Sequence, residues 1–151
     1  MIKFITTQQT YPIRQAVLRD GKPIETCVFD GDDDATTKHL GYFDGGDVVG
    51  ILSIFSNQVS RHSKKKYDED AWQLRGMAVA EAAQRKGVGK ALVMFAMNYL
   101  QQFEPTIFWC NAREGAVKFY ERLGFYIVSD AFHVPGIGPH YVMMRELVKS
   151  L

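Results

Sequence analysis

The pattern of hydrophobic and polar residues along the chain predicts strands that alternate with helices. Apolar residues in short runs or at alternate positions are typical of strands, whereas steps of three and four residues indicate one face of a helix. Strands are predicted at residues 2–6, 39–43, 48–55, 72–79, 106–110, 125–134 and 141–148. With three helices the order becomes β-α-β-β-β-α-β-α-β-β, which predicts a mixed α/β fold with helices covering a largely antiparallel sheet.

Three helices are predicted between these strands. The first has Pro12 in its first turn and runs through Arg19, with inward positions at Ile13, Ala16, Val17 and Leu18. The second covers residues 88–103, cannot continue past Pro105, and has inward positions at Val88, Leu92, Phe95, Tyr99 and Phe103. The third covers residues 112–123, ends at Gly124, and has inward positions at Ala116, Phe119, Tyr120 and Leu123.

Length, composition and charge narrow the classes of protein that fit. The chain has 151 residues, of which 46% are hydrophobic, so we expect a single domain over residues 1–151. Its net charge of +1 gives no support to nucleic acid or a membrane surface as a partner. Cys27 and Cys110 form no C-x-x-C pair and are expected to be free thiols. The sequence has no apolar run of ~18 residues and no signal-peptide pattern, so a cytoplasmic protein is expected.

The stretch at residues 80–90 joins a predicted strand to a predicted helix and carries candidate chemistry. Gly87 and Gly89 leave the backbone open to close approach, and Arg85, Lys86 and Lys90 add positive charge. Free backbone N–H groups and the helix dipole at a helix N-terminus attract anions. The stretch therefore predicts a site for a phosphorylated ligand, with an ordinary strand-to-helix connection as the alternative.

Two common phosphate loops are excluded by the residues themselves. A Walker loop requires Ser or Thr after Gly-Lys, but Ala91 follows Gly89 and Lys90, and position 84 is not glycine. A dinucleotide fingerprint requires a third glycine where the chain has Leu92.

The remaining pattern, Gln84-Arg85-Lys86-Gly87-Val88-Gly89, resembles the Q/R-x-x-G-x-G/A signature of the GNAT superfamily of acyl-CoA-dependent N-acyltransferases. Leu74-Arg75-Gly76-Met77-Ala78-Val79 stands where that family has its central strand. The block from Asn111 to Phe125, which ends in F-Y-x-x-L-G-F, resembles a second family motif. Within the superfamily, residues 13–35 and the sequence Ile137-Gly138-Pro139-His140-x-x-Met143 are similar to a small bacterial group that includes ElaA and YjcF.

The resemblance implies a GNAT-like sheet with a splay between two central strands, and acetyl-CoA as cosubstrate without a metal. Gln84, Arg85, Lys86, Gly87, Val88, Gly89 and Lys90 would then hold the CoA pyrophosphate. The strand edge at Met77, Ala78 and Val79 would pair with the pantetheine arm, and a backbone N–H near Met77 or Ala78 could stabilise an oxyanion. Asn111, Ala116 and Phe119 would line the far side of the arm.

The family pattern makes Tyr120 the candidate general acid for the departing thiolate, with a core aromatic residue as the alternative. Glu25 is the preferred candidate base, and Glu81, His39 or a water chain could serve instead. His133 and His140 could shape the acceptor pocket or be structural. Cys110 could support a ping-pong route, although direct attack in a ternary complex fits the superfamily better.

The expected function is acetyl transfer from acetyl-CoA to a primary amine of a small molecule or peptide. An acyl-CoA sensor without turnover and an acyltransferase for longer chains are the alternatives. The acidic residues 30–34 lack EF-hand spacing, so no metal site is expected, and they could attract a cationic amine or form a solvated turn. A homodimer is possible, because superfamily members are often dimers.

Overall fold

The computed structural model describes residues 1–103 and 106–149 of the chain. Its strands are β1 (Ile2–Ile5), β2 (Lys38–Asp44), β3 (Asp47–Ser56), β4 (Ala71–Val79), β5 (Thr106–Arg113), β6 (Tyr126–Ile127), β7 (Phe132–Val134) and β8 (Gly138–Leu147). Its α-helices are α1 (Thr7–Ile13), α2 (Val88–Leu100) and α3 (Val117–Arg122). Pro105, the predicted helix stop, lies outside the described residues.

The strands form an eight-stranded mixed sheet in the order β1-β2-β3-β4-β5-β8-β6, with β7 paired to β8. Neighbours such as β1 with β2 and β5 with β8 are antiparallel, whereas β4 and β5 are parallel. The parallel pairs join residues 71–73 to residues 107–109, and the strands themselves run to Val79 and to Arg113. The predicted mixed, largely antiparallel α/β fold is confirmed.

The chain divides into two compact units, so that the single-domain assignment stays a prediction. The first unit contains residues 1–55 and 74–96, and one of its buried clusters consists of Ile13, Ile51 and Ala78. The second contains residues 56–73 and the chain from Met97 onward. One of its clusters is formed by β4, β5 and β8 through Ala71, Ile107, Trp109, Val142 and Met144.

The β2–β3 hairpin agrees with its predicted glycine turn. Asp44 pairs with Asp47, and Gly45 and Gly46 between them have φ angles of 60° and 91°. Two successive positive φ angles match the twist of a two-residue hairpin and strongly favour glycine. Local sequence is therefore sufficient to position this turn.

The first helix begins earlier than the sequence analysis predicted. Thr6 caps α1 by accepting a hydrogen bond from the backbone N–H of Gln9, whose side chain accepts one from the backbone N–H of Thr6. This capping box is a start signal that places Pro12 near the end of α1 instead of in its first turn. Residues Arg14–Leu18 then form a wider π-helical turn, in which the N–H of Arg19 donates to the carbonyl of Arg14 at 3.0 Å.

Several predicted inward positions and element ends are also corrected. Val17 and Phe103 are 36% and 47% exposed, and the second helix ends at Leu100. Strand β5 continues to Arg113, so α3 is preceded by a short 3₁₀ turn, Glu114–Ala116. The long strand predicted at residues 125–134 is two short strands, β6 and β7, which pair with different parts of β8.

Helix α2 packs closely on strand β3 at Gly50. A Cβ atom on Gly50 would lie 2.5 Å from Cγ1 of Val88, the first residue of α2, and 3.2 Å from Cδ1 of Leu92. Val88 is β-branched and 5% exposed, so its side chain cannot easily turn away. None of the helices in the described part of the chain is long and apolar enough to cross a membrane.

We predict that Gly50→Ala lowers the free energy of unfolding by about 1–3 kcal/mol, the usual cost of overpacking a core. Urea denaturation measures this change. Gly115→Ala is the control, because its Cβ would meet no atom within 4 Å. The double variant Gly50→Ala/Val88→Ala should lose less free energy of unfolding than the sum of the losses in the two single variants, because truncation of Val88 removes the clash. Strict additivity would contradict the proposed contact.

Candidate active site

The loop between β4 and α2 is held at both ends by short hydrogen bonds. The backbone N–H of Ala80 donates to the carbonyl of Val49 at 2.8 Å, which ties the end of β4 to β3. The Gln84 side-chain amide donates to the carbonyl of Val79 at 2.9 Å across the 3₁₀ turn Glu81–Ala83. The glutamine of the signature therefore bonds back to the end of β4, and the next three residues, 85–87, are exposed.

The centre of this loop has the geometry of an anion site. Arg85 and Gly87 have φ angles of 65° and 81°, and the space around the missing Cβ of Gly87 is open to 4 Å. Arg85, Lys86 and Lys90 are exposed, and the N-terminus of the 13-residue helix α2 follows at Val88, whose side chain is buried. Free N–H groups at that helix end and three cations fit a pyrophosphate. All seven residues that the sequence predicted for the pyrophosphate, Gln84 to Lys90, therefore lie in this loop and at the start of α2.

Strand β4 contains a left-handed residue at Gly76, a feature that the sequence analysis missed. Gly76 has a φ angle of 65° inside the strand, and its Cβ would lie 2.8 Å from Cε2 of Phe29. A left-handed residue within a strand bends the backbone and changes the direction of the next peptide, as in a β-bulge. The next peptide leads to Met77, which is half-buried, and Ala78, which is buried. Glycine inside a predicted strand was the available signal.

Tyr120 lies in α3 with its ring buried between two aromatic neighbours. The ring is 5.1 Å from Phe119 and 5.5 Å from Phe125, centroid to centroid, and the residue is 6% exposed. Burial raises the pKa of the phenol well above its usual value, and Cys110 raises it further. Among the described residues the hydroxyl makes no hydrogen bond. Because its pKa is raised, the phenol is protonated at neutral pH.

The other predicted residues of this second unit lie on β5 and just before α3. Asn111 is exposed on β5, where it pairs with Val142, and Ala116 and Phe119 are half-buried. Cys110 is 2% exposed, and burial raises the pKa of its thiol. Because the thiolate is the nucleophilic form, this cysteine is poorly suited to attack a thioester. Both cysteines are free, as predicted.

The candidate bases lie in very different surroundings. Glu25 is exposed in the 3₁₀ turn Ile24–Cys27, and Glu81 is exposed in the loop after β4. His39 is 5% exposed, with Nε2 at 2.9 Å from the carbonyl of Asp32 and Nδ1 at 2.6 Å from Oγ of Ser53. A carbonyl only accepts, so Nε2 carries the proton and Nδ1 accepts from the serine hydroxyl. With both nitrogens engaged, His39 is a structural residue.

Two further histidines were candidates for the acceptor pocket. His133 is exposed in β7, and His140 is buried in β8, where its Nδ1 lies 2.9 Å from the carbonyl of Gly138. That carbonyl requires a proton on Nδ1, which leaves Nε2 of His140 as an acceptor. Phe132 packs between His140 and His62, with the His62 ring stacked on it at 4.2 Å. A role in the pocket stays a prediction for both residues.

A buried ion pair that the sequence analysis did not predict lies beside β4. Arg14 is 0% exposed and forms two hydrogen bonds with the carboxylate of Asp32, at 2.8 and 3.0 Å. Its guanidinium also donates to the carbonyl of Cys27 and to Oγ of Ser53, at 2.9 and 3.1 Å. Its Nε lies 3.6 Å from the Cβ position of Gly76. The pair thus supports the bend in β4.

This ion pair changes the interpretation of the acidic residues 30–34. Asp32 is used by Arg14, and Oδ1 of Asp33 accepts from the hydroxyl of Thr7 at 2.9 Å. Asp32 is therefore not free to attract a cationic amine, whereas Asp30, Asp33 and Asp34 are exposed. Across residues 1–103 and 106–149, no group of three His, Cys, Asp or Glu side chains could hold a metal ion.

The mixed sheet and the basic loop between β4 and α2 define the class of protein, which is an acyltransferase. A family model described as the acetyltransferase (GNAT) family matches residues 6–125. The chain belongs to this family, which confirms the resemblance seen in the sequence. It is an N-acyltransferase with acyl-CoA as cosubstrate and an amine as acceptor.

Individual proteins agree with this assignment. The chain is similar to the uncharacterized N-acetyltransferase YitI of Bacillus subtilis (strain 168), at 34% identity over 150 residues, covering 99% of this chain and 97% of that protein. It is similar to the peptidyl-lysine N-acetyltransferase YiaC of Escherichia coli (strain K12), at 35% identity over 119 residues, covering 78% and 69%. The crystal structure of Escherichia coli ElaA has the same fold, with a TM-score of 0.73, 17% identity and coverage of 96% and 98%.

We predict that Asp32→Asn destabilises the protein by about 3–5 kcal/mol at pH 7, because it leaves the Arg14 charge buried without a partner. Burial alone would raise the pKa of Asp32, but hydrogen bonds from Arg14 and Phe29 and the Arg14 charge hold it below its usual value. The pair therefore stabilises fully above the unfolded pKa of about 3.9 and loses its effect as the pH falls through the folded pKa.

Urea unfolding of wild type and Asp32→Asn across this pH range measures the effect, with Asp30→Asn at an exposed position as the control. The difference between wild type and Asp32→Asn should narrow in acid. A difference that does not change with pH would contradict the ionised pair.

Proposed function

We propose that the protein is an acetyl-CoA-dependent N-acetyltransferase that acts on a primary amine of a small molecule or peptide. The observation that carries the proposal is the joined sequence of bent β4, left-handed basic loop and α2 N-terminus. Each part suits one portion of an acyl-CoA: an extended strand for the amide-rich arm, and free N–H groups with cations for the pyrophosphate.

In this proposal the loop holds the donor while β4 orients it. The backbone N–H groups at Arg85, Lys86, Gly87, Val88, Gly89 and Lys90 bind the pyrophosphate, and Gln84 keeps the loop closed. Met77, Ala78 and Val79 pair with the arm, and Asn111, Ala116 and Phe119 line it. The thioester supplies an activated acyl group, and the bend at Gly76 directs a backbone N–H near Met77 or Ala78 toward the developing oxyanion.

Tyr120 serves as the general acid in this proposal. Its phenol keeps the proton at neutral pH because burial disfavours the phenolate. The same apolar surroundings would raise the proton affinity of a nearby thiolate, so proton transfer is not prevented by the high phenol pKa. The feature that supports an acid here over a purely structural aromatic residue is a hydroxyl without a hydrogen bond among the described residues, on a ring held by two aromatic neighbours.

The acceptor amine must lose a proton before or during its attack. An alkylamine with a pKa of about 10.4 is neutral in roughly one molecule per thousand at pH 7. We propose that Glu25, an exposed carboxylate, accepts this proton, with Glu81 or water as the alternative. Direct attack within a ternary complex needs no enzyme nucleophile, which agrees with the buried thiol of Cys110.

Acceptor choice and acyl length are the finer parts of the proposal. The similar protein YiaC is a peptidyl-lysine N-acetyltransferase, which supports a peptide amine as one candidate acceptor. An acyl-CoA sensor without turnover is the second candidate function, because no side-chain hydrogen bond or ion pair among the described residues positions Glu25 as a base. A longer acyl chain is the third, and donors of increasing length would distinguish it.

The test is release of CoA thiol from acetyl-CoA with a panel of primary amines. Wild type should release thiol, and Tyr120→Phe should lower kcat by about a hundredfold or more, the usual effect of losing a general acid, with little change in the KM for acetyl-CoA. Tyr126→Phe, which removes an exposed tyrosine hydroxyl bonded to Glu146, is the matched control and should keep its activity. Binding of acetyl-CoA without thiol release for any amine would favour the sensor.

We predict that Cys110→Ala keeps kcat within a few-fold of wild type and that intact-mass measurements detect no acyl-enzyme. The buried thiol has its pKa raised and is therefore not a ready nucleophile. A trapped acyl group that is present in wild type and absent from Cys110→Ala would replace direct attack by a ping-pong route.

A further inference from the structure

Three arginines surround the ring of Phe29 beside the bend in β4. The guanidinium carbons of Arg14, Arg75 and Arg19 lie 3.8, 4.5 and 5.4 Å from the centroid of that ring. Arg75 also lies 5.8 Å from the ring of Phe55 on β3. The aromatic faces attract all three cations, but they supply no hydrogen-bond acceptor in the plane of the guanidinium.

The three arginines differ in what satisfies them. Both terminal nitrogens of Arg14 donate to the Asp32 carboxylate and to other acceptors, and only its Nε lacks a partner among the described residues. Arg19 donates from Nε to the carbonyl of Thr26 at 2.7 Å. Among the described residues, the guanidinium of Arg75 has ring contacts and no hydrogen bond or ion pair. One fork of five N–H donors is therefore available to a ligand.

The surroundings of Arg75 leave its charge poorly balanced. The side chain is half-buried. Burial lowers the pKa of Arg75 from its usual value and the Arg14 charge lowers it further, against the opposite effects of Asp32 and Asp30. Arginine nevertheless stays ionised in proteins. A half-buried cation without a partner is a costly arrangement that an anionic ligand would relieve.

The position of Arg75 on β4 connects it to the proposed reaction. Arg75 precedes Gly76 and stands two residues before Met77 on β4. Met77 and Ala78 are the residues whose backbone is proposed to face the reacting carbonyl. A group bound by the Arg75 fork would lie on the side of β4 that faces Phe29 and Phe55, next to the bend that leads to this backbone.

We propose that Arg75 recognises a carboxylate on the acceptor, so that the protein acetylates amines that also carry a carboxylate close to the amine. The proposal rests on the proposed function and narrows its substrate class to amino acids and short peptides of that kind. A planar carboxylate matches the arginine fork through two parallel hydrogen bonds.

The experiment compares amine pairs that differ in the carboxylate: glycine with glycinamide, lysine with lysinamide, and glutamate with isoglutamine. Thiol release is measured for wild type, Arg75→Gln and Arg75→Lys. Arg61→Gln, at an exposed position of the second unit, is the matched loss of one charge. Amidation lowers the pKa of the neighbouring amine, so more of the amide substrate is in the neutral form that attacks the thioester. This effect alone would favour the amide, so a measured preference for the acid is strong evidence for recognition of the carboxylate.

Wild type should favour at least one acid over its amide by tenfold or more in kcat/KM, the usual effect of a charge-assisted hydrogen bond. Arg75→Gln should abolish that preference without changing the KM for acetyl-CoA or the turnover of the amide, and Arg61→Gln should keep it. Arg75→Lys keeps the charge but lacks the planar fork, so it should retain part of the preference for the acid. If Arg75→Gln does not fold, this partial loss in Arg75→Lys tests whether Arg75 recognises the carboxylate.

Other outcomes would overturn the proposal. Equal use of acid and amide by wild type, or an equal loss of both in Arg75→Gln, would make Arg75 structural while leaving N-acetylation intact. A stronger preference for phosphoethanolamine over every carboxylate would assign the fork to a phosphate. Acetyl-CoA binding without thiol release for any amine would reject the proposed function and this inference together.

Discussion

The bent strand at the centre of this protein depends on a buried charge pair. Arg14 could not be fully buried without Asp32, because an isolated guanidinium in an apolar interior is prohibitively costly. The pair ties the turn after α1 to the loop at Asp32 and, through Ser53, to β3. The Arg14 guanidinium also packs on the ring of Phe29. That ring occupies the space that a side chain at Gly76 would need.

The same constraint explains why the proposed donor and acceptor sites can be specified separately. The proposed donor loop depends on local backbone features, the left-handed Arg85 and Gly87 and the start of α2 at Val88. The proposed acceptor side depends on charges that meet from distant parts of the chain. A change in the loop should therefore affect acyl-CoA binding first, whereas a change at Arg75 should affect the choice of amine.

What the sequence predicted follows this division between local and distant interactions. The hairpin at Gly45 and Gly46, the loop after β4 and α2 were predicted because neighbouring residues determine them. Arg14 appeared within an apolar helical stripe, and nothing local indicates that Asp32 and Ser53, 18 and 39 residues away, would bury it. The strand predicted at residues 125–134 was wrong in its length because pairing with β8, and not its own pattern, sets the ends of β6 and β7.

Comparison of Arg14 with Arg75 shows how one type of residue serves both stability and recognition. Both guanidiniums stack on Phe29, so ring contact alone does not separate them. The difference is the acceptor: Arg14 has an internal carboxylate, and removing it would leave a buried charge, so this arginine is fixed. Arg75 has none among the described residues, and its half-buried position lets a ligand supply one. An external carboxylate there would complete the arrangement that Asp32 already completes for Arg14.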